Sequence, residues 1–350
     1  MALAPFNPRG LMSRRHDRMD EDDVRVRPTR GGSRPRSKDR PAHEQALRGT
    51  VIAVDRGRFT IAIPSGDDEA QPRVIYAVKA RELGRKGIVV GDDVDLVGDL
   101  SGDIDNQARV VRRLERASTL RRTADDSDPV ERVIVANATQ LAIVTATTDP
   151  APSFGLIDRA LVAAYDAGVR PLLIVTKTDL VPPDELRRMY APLDFEMFEV
   201  SDRRPPLALQ QALADEVTVV VGHSGVGKST LVNNLVPGTD RSTGRVNVVT
   251  GKGRHTSTNV RAIPLPGGGW IIDTPGIRSF GLAHVDLDRV ISAFPDLAAG
   301  TENCPRACSH DEPDCALNAW ADDQELGVRE RLASMRRLLA GRSANPEGFD

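Results

Sequence analysis

One octapeptide constrains this 350-residue chain more than any other feature: Gly222-His223-Ser224-Gly225-Val226-Gly227-Lys228-Ser229, directly after the apolar run Val217–Val221. It fits G-x-x-x-x-G-K-S, in which glycines let backbone N–H groups curl around phosphates with no Cβ in the way. Lys228 then reaches the β- and γ-phosphates, Ser229 offers its hydroxyl to Mg²⁺, and Thr230 extends the nucleotide-binding run. A helix starting near Lys228, with Leu231 and Leu235, aims its positive N-terminus at the same anion. Strand, glycine loop and helix together predict an α/β nucleotide-binding unit.

Two further motifs fit the same ligand. Asp273-Thr274-Pro275-Gly276 follows the strand-like run Trp270-Ile271-Ile272. A carboxylate there holds the Mg²⁺ shell through water, and the Gly276 amide senses the γ-phosphate. Thr176-Lys177-Thr178-Asp179 follows the apolar run Pro171–Val175. An Asp carboxylate only accepts, and guanine presents two adjacent donors, N1–H and N2–H₂, where adenine has an acceptor at N1. Lys177 supplies a stem to lie over the base, and Ser201, after Val200, closes over the base edge. The set favours GTP over ATP.

The motif order is unusual, because the base-reading motif at Thr176–Asp179 precedes the phosphate loop at Gly222. Ligand contacts in such folds lie outside the carboxyl ends of parallel strands, so the site survives permutation if every strand keeps its place. The chain leaving Gly276 passes straight into a cysteine-bearing segment, so motion sensed at Gly276 would move that segment.

Around this centre the chain divides into five parts. Residues 1–45 read as a disordered, Arg-rich lead-in, either a solvated tail or an electrostatic RNA tether. Residues 46–117 hold β-branched runs at Val51–Val54, Phe59–Ile63, Val74–Val78 and Val94–Val97, which predict a small barrel, an OB-fold first of all. Twelve basic and twelve acidic residues between Arg48 and Arg116 leave RNA binding and protein docking equally open for it. Residues 118–283 alternate strand and helix: Val133–Val135 and Leu141–Val144 read as buried strands, and Ile157, Leu161 and Tyr165 form a helix stripe closed by Gly168. Residues 284–342 carry the cysteines and a last helix on which Leu332, Met335 and Leu339 share a face, leaving Arg331, Arg336 and Arg337 for solvent or a partner. Residues 343–350 form a tail. Net charge is −3, so no whole-chain basic field recruits nucleic acid. Without a long uncharged apolar stretch or a secretory h-region, the expectation is a cytoplasmic chain with no membrane partner.

All three cysteines lie between Cys304 and Cys315, an odd count that argues for a metal site over a disulfide framework. Cys304, Cys308, His310 and Cys315 offer three thiolates and one imidazole, a tetrahedral Zn²⁺ set with no open position for a substrate. The zinc is therefore structural, one per chain. Asp311, Glu312 and Asp314 read as surface charges or partners of the ligands rather than ligands.

Barrel, T-K-x-D, G-H-S-G-V-G-K-S, then Gly253-Arg254-His255-Thr256, D-T-P-G and the Cys/His cluster: in that order the chain resembles the RsgA family of circularly permuted GTPases over roughly residues 46 to 340. The resemblance implies a multidomain architecture: an OB-fold β-barrel, an α/β GTPase domain of permuted motif order, and a small zinc-binding, helical C-terminal domain. It also implies GTP hydrolysis to GDP stimulated by the small ribosomal subunit, late in that subunit's maturation and near the decoding region of 16S rRNA. Other assembly factors are conceivable partners, and a monomer is expected. Three departures stand out. Thr176 replaces the usual Asn, Arg254-His255-Thr256-Ser257-Thr258 replaces a segment that generally has three threonines, and two cysteine spacings are one residue short. The Arg-rich lead-in has no counterpart in the common core.

Ras-like enzymes orient the attacking water with a Gln just after D-x-x-G, and Ile277 occupies that place here. His255 is the candidate to replace it, with Thr256 or Thr258 completing the Mg²⁺ shell beside Ser229 and Asp273. His255 contacting RNA, or only shaping its loop, is the alternative. Two rival functions remain at this point: a nucleotide-gated RNA-binding assembly factor with incidental hydrolysis, and a GTPase acting on another RNA or protein.

Overall fold

In the computed structural model, one continuous sheet of 11 strands runs from a barrel into a mostly parallel α/β layer. The structure describes residues 46–63, 72–84, 87–103, 107–123, 131–191, 193, 195–236, 260–274, 290–291, 294–306, 308–322, 324 and 328–341. The Arg-rich lead-in, the tail and the His255 loop lie outside these residues.

Strands β1 (Leu47–Asp55), β2 (Arg58–Ile63), β3 (Arg73–Lys79), β4 (Asp93–Gly98) and β5 (Ala108–Arg113) contain the β-branched runs. They pair in the order β1-β2-β3-β5-β4, and β4 returns to β1, which closes the barrel expected of an OB-fold. Alternate residues point inward, and Val51, Ile61, Ile75, Leu96 and Val110 are buried together.

A hairpin of β6 (Thr119–Thr123) and β7 (Glu131–Ala136) follows. Its end is bonded to the barrel: Ala136 N–H donates to the Val90 carbonyl (3.0 Å), and Asn137 Nδ2 donates to the Gly91 carbonyl (2.8 Å). Beside this joint Arg116 grips the fully buried Asp92, Nε to Oδ1 at 2.6 Å.

The next elements are β8 (Gln140–Ala146), α1 (Phe154–Ala167), β9 (Arg170–Thr176), α2 (Asp184–Tyr190), β10 (Glu196–Val200), α3 (Leu207–Leu213), β11 (Val217–Val221), α4 (Lys228–Leu235), β12 (Arg261–Pro264) and β13 (Trp270–Asp273). Their order in the sheet is β10-β9-β8-β11-β13-β12, and all but β12 are parallel. Every residue of β8 is buried, as a central strand covered on both faces requires. Leu141, Ile143, Leu173 and Val219 face one core, against α1, while Ala142, Val144, Leu172 and Val220 face the other, with Leu213 of α3 and Leu231 of α4. At the far edge β12 pairs with β1, Ala53 opposite Arg261, so barrel and α/β sheet are continuous.

Helix α1 buries Ile157 and Leu161 and ends at Gly168, whose φ of +66° is left-handed. The C-terminal region contributes α5 (Pro295–Ala299), α6 (Ala316–Asp322) and α7 (Val328–Gly341). Leu332, Met335 and Leu339 join the α1 core as expected. The arginines do not behave as expected. Arg331 lies over the Phe294 ring (5.5 Å), Arg336 Nε donates to the His310 carbonyl (2.7 Å), and Arg337 Nε donates to Asp158 Oδ2 (2.7 Å). At about 100° per residue, position 336 flanks the apolar stripe, whereas 337 lies well round the helix from it, beside the buried Ser334. Among the described residues no helix is long and apolar enough to cross a membrane.

Candidate functional site

The motifs converge at the carboxyl ends of five parallel strands. Ala146 pairs with Thr176, Thr176 with Val200, Val221 with Ile143, and Val220 with Asp273. Permutation has therefore left Thr176–Asp179, Ser201, Gly222–Thr230 and Asp273 on one rim.

The phosphate loop owes its shape to its glycines. Gly222 has φ +149°, and a Cβ there would sit 2.2 Å from the Val144 carbonyl oxygen. Gly225 and Gly227 are left-handed, at +83° and +94°. Val226 is the loop's buried anchor, whereas His223, Ser224, Gly225, Ser229 and Thr230 are exposed at the rim. Lys228 Nζ donates to the carbonyls of Gly222 (2.7 Å) and His223 (2.5 Å). Burial lowers the Lys228 pKa from the ordinary lysine value, and the Asp273 carboxylate opposes that shift. The Thr274 hydroxyl donates to the Val220 carbonyl (2.9 Å), which fixes the chain just past Asp273 against the strand feeding the phosphate loop.

The base loop is braced from two sides. Thr176 is buried, with Oγ1 2.6 Å from the Val226 carbonyl oxygen and 3.1 Å from that of Thr145. Its single hydroxyl hydrogen serves the shorter contact, so the tie from base loop to phosphate loop survives without the usual Asn. Thr147 clamps the backbone at Thr176 and Lys177: its N–H donates to the Thr176 carbonyl (3.1 Å) and its hydroxyl to the Lys177 carbonyl (2.8 Å). Lys177 Nζ donates to the Asp149 carbonyl. Thr178 N–H lies 3.4 Å from the Val200 carbonyl oxygen, and Asp179 Oδ1 accepts from the Asp202 N–H (3.1 Å). Asp179 and Ser201 both stand exposed at this rim. Thr147 and Asp149 were missed in the sequence. Their signal was position, just past the carboxyl end of β8, the strand that holds the apolar run Leu141–Val144. Gly276, His255, Thr256 and Thr258 lie outside the described residues.

The four sequence-predicted metal ligands come together. One ligand atom from each of Cys304, Cys308, His310 and Cys315 lies within 4.8 Å of the others. Cys304 Sγ is 3.6 Å from His310 Nδ1 and 3.8 Å from Cys315 Sγ, which is 3.9 Å from the same nitrogen. A tetrahedron with Zn–S and Zn–N bonds of about 2.3 and 2.0 Å has edges of about 3.5–3.8 Å, so the donor set fits. Desolvation pushes the Cys308 thiol up to about 12, and the thiol donates to Glu312 Oε2 (3.2 Å). The Ser309 N–H, bonded to Glu312 Oε1 (2.9 Å), holds that carboxyl down to about 2. Glu312 is thus a partner of the ligands.

A family model for the RsgA GTPase matches residues 113–283. The small ribosomal subunit biogenesis GTPase RsgA of Ectopseudomonas mendocina (strain ymp) is 41% identical over 263 residues, 72% of this chain and 74% of that protein. The chain belongs to the RsgA family. The RsgA of Nitrosospira multiformis is 34% identical over 319 residues, 89% of this chain and 96% of its own. RsgA proteins are GTPases, and the chain is accordingly a GTP hydrolase. Two solved structures share the fold. YjeQ from Thermotoga maritima has a TM-score of 0.57 at 22% identity, covering 84% of this chain and 99% of that one. YloQ, described as a circularly permuted GTPase, has a TM-score of 0.58 at 21% identity, covering 86% of this chain and 97% of its own. The barrel, the permuted α/β domain and the Cys₃His cluster of the RsgA reading are all present.

Proposed function

We propose that this chain hydrolyses GTP to GDP and phosphate when docked on the small ribosomal subunit, late in that subunit's maturation and against 16S rRNA near the decoding region. The observation that carries the reading is the convergence of Asp179, Lys228 and Asp273 on one rim, in a chain whose relatives are named for small-subunit biogenesis. Asp179 selects guanine, Thr176 and Thr178 shape its loop, Lys177 supports the base and Ser201 closes its edge. Gly222 to Thr230 cradle the phosphates with backbone N–H groups, and Lys228 neutralises charge at the β- and γ-positions. Ser229, Asp273 and one of Thr256 and Thr258 would hold Mg²⁺, which supplies charge neutralisation on the transferred phosphoryl group. Gly276 senses the γ-phosphate. His255 orients the water, because the aliphatic Ile277 has no group to do so.

Cys304, Cys308, His310 and Cys315 hold one structural Zn²⁺, which anchors a segment too small to build a core alone. The chain acts in the cytoplasm as a monomer, with barrel and zinc segment as its docking surfaces. The test is co-sedimentation of the full chain with isolated small or large subunits, in GDP or a non-hydrolysable GTP analogue. Pelleting with small subunits, favoured by the analogue, is the expected result. Equal binding to both subunits, or indifference to nucleotide, would overturn the target.

A further inference from the structure

The last helix carries two adjacent arginines that reach different parts of the molecule. Arg336 Nε donates to the carbonyl of His310, a non-glycine residue at φ +67°. That backbone conformation is costly for a side-chain-bearing residue and needs outside support. Arg337 Nε donates instead to Asp158 Oδ2 on α1 (2.7 Å), a carboxylate whose side chain is only 4% exposed. The other carboxylate oxygen accepts from Tyr190 Oη at the end of α2 (2.9 Å), and the Arg337 guanidinium lies 5.4 Å over the Tyr190 ring. Burial alone raises the Asp158 pKa, and Arg337 and Tyr190 act against that shift. A buried carboxylate of this kind strongly disfavours losing its partner.

We propose that Arg336 and Arg337 form a two-way clasp through which metal binding at Cys304, Cys308, His310 and Cys315 fixes the seating of α7 on the GTPase domain. The inference rests on the metal reading above and adds a role for residues that touch no metal. Metal holds the His310 turn in the shape that Arg336 recognises, which fixes the rotation of α7. The neighbouring Arg337 is then aimed at Asp158. Coupling of this kind is reciprocal, so loosening the Arg337 end must weaken metal binding at the other.

The test uses the full chain and reads zinc affinity by competition with a chromophoric chelator, together with hydrogen exchange. In the wild-type chain, chelation should deprotect both α7 and the part of α1 around Asp158. Arg337→Met, which alters nothing in the metal loop, should weaken zinc binding about fivefold or more. Arg337→Lys should weaken it less. Unchanged zinc affinity in Arg337→Met, or unchanged protection around Asp158 after chelation, would overturn the clasp. A wild-type chain that binds no zinc would overturn the metal reading itself. The chelation arm needs no variant to fold.

Discussion

Thr176 Oγ1 lies 2.6 Å from the Val226 carbonyl oxygen, so the loop after β9 and the glycine-rich loop after β11 share a buried hydrogen bond. Thr176→Val keeps the shape and removes the donor, leaving a buried carbonyl unsatisfied at a cost of about 1–3 kcal/mol. Affinity for both GDP and GTP should fall about 10-fold, within the range that cost allows. Thr176→Ser, which restores the hydroxyl, should stay within about threefold of wild type. Titration with a fluorescent guanine nucleotide reads both.

In the proposed reading, Asp179 offers guanine two acceptor oxygens. Asp179→Asn places an N–H₂ where guanine presents its own donors, so GDP affinity should fall on the order of 100-fold from the loss of charge-assisted bonds. Xanthine has a carbonyl in place of the 2-amine, and xanthosine diphosphate should bind the variant better than it binds wild type. Competition between the two nucleotides tests this, and loss of both affinities together would count against base reading at Asp179.

The phosphate loop leaves no space at Gly222. A Cβ would stand 2.2 Å from the Val144 carbonyl oxygen at a backbone φ of +149°. Gly222→Ala must push β8 and the loop apart, and it should cost about 2–4 kcal/mol of stability as well as nucleotide binding. Urea denaturation measures the first and nucleotide titration the second.

Burial places Lys228 below the ordinary lysine pKa, and bound phosphates would raise it again. The favoured contact is therefore complete below the lowered pKa of the free protein and is lost as pH rises from there through the raised pKa of the complex. Nucleotide binding should take up protons on the alkaline side of neutrality. Calorimetry of GDP binding at alkaline pH in two buffers of different ionisation enthalpy counts those protons. Lys228→Arg, which does not titrate there, should show a smaller uptake.

Local chemistry made much of this molecule readable. The phosphate loop, the base motif and the Cys/His spacing are contiguous patterns, and the structure brings each set to one place. The barrel strands were visible because β-branched runs alternate between glycine and aspartate turns. Non-local partnerships were not. Thr119–Thr123 pairs as β6, yet with two arginines and two threonines among five residues it carries no apolar alternation. The junction of β1 with β12 joins positions far apart in sequence, which no short-range pattern encodes. Asp158 stands beside Arg159 on α1 and looks like a solvated charge until Arg337 and Tyr190 are seen around it. Those same contacts remove Arg337 from the solvent-facing set. Thr176 was legible as a departure from the usual Asn, but only the Val226 contact shows that the hydroxyl keeps the tie between the two loops.

GTP turnover by the purified chain, alone and with isolated small subunits, large subunits or assembled ribosomes, addresses the central claim most directly. With Ile277 in place of a water-orienting Gln, turnover alone should be slow. Small subunits should raise it markedly, and His255→Ala should abolish that rise while leaving GDP affinity unchanged. Turnover that no ribosomal particle raises, in a chain that still binds GTP, would contradict the account.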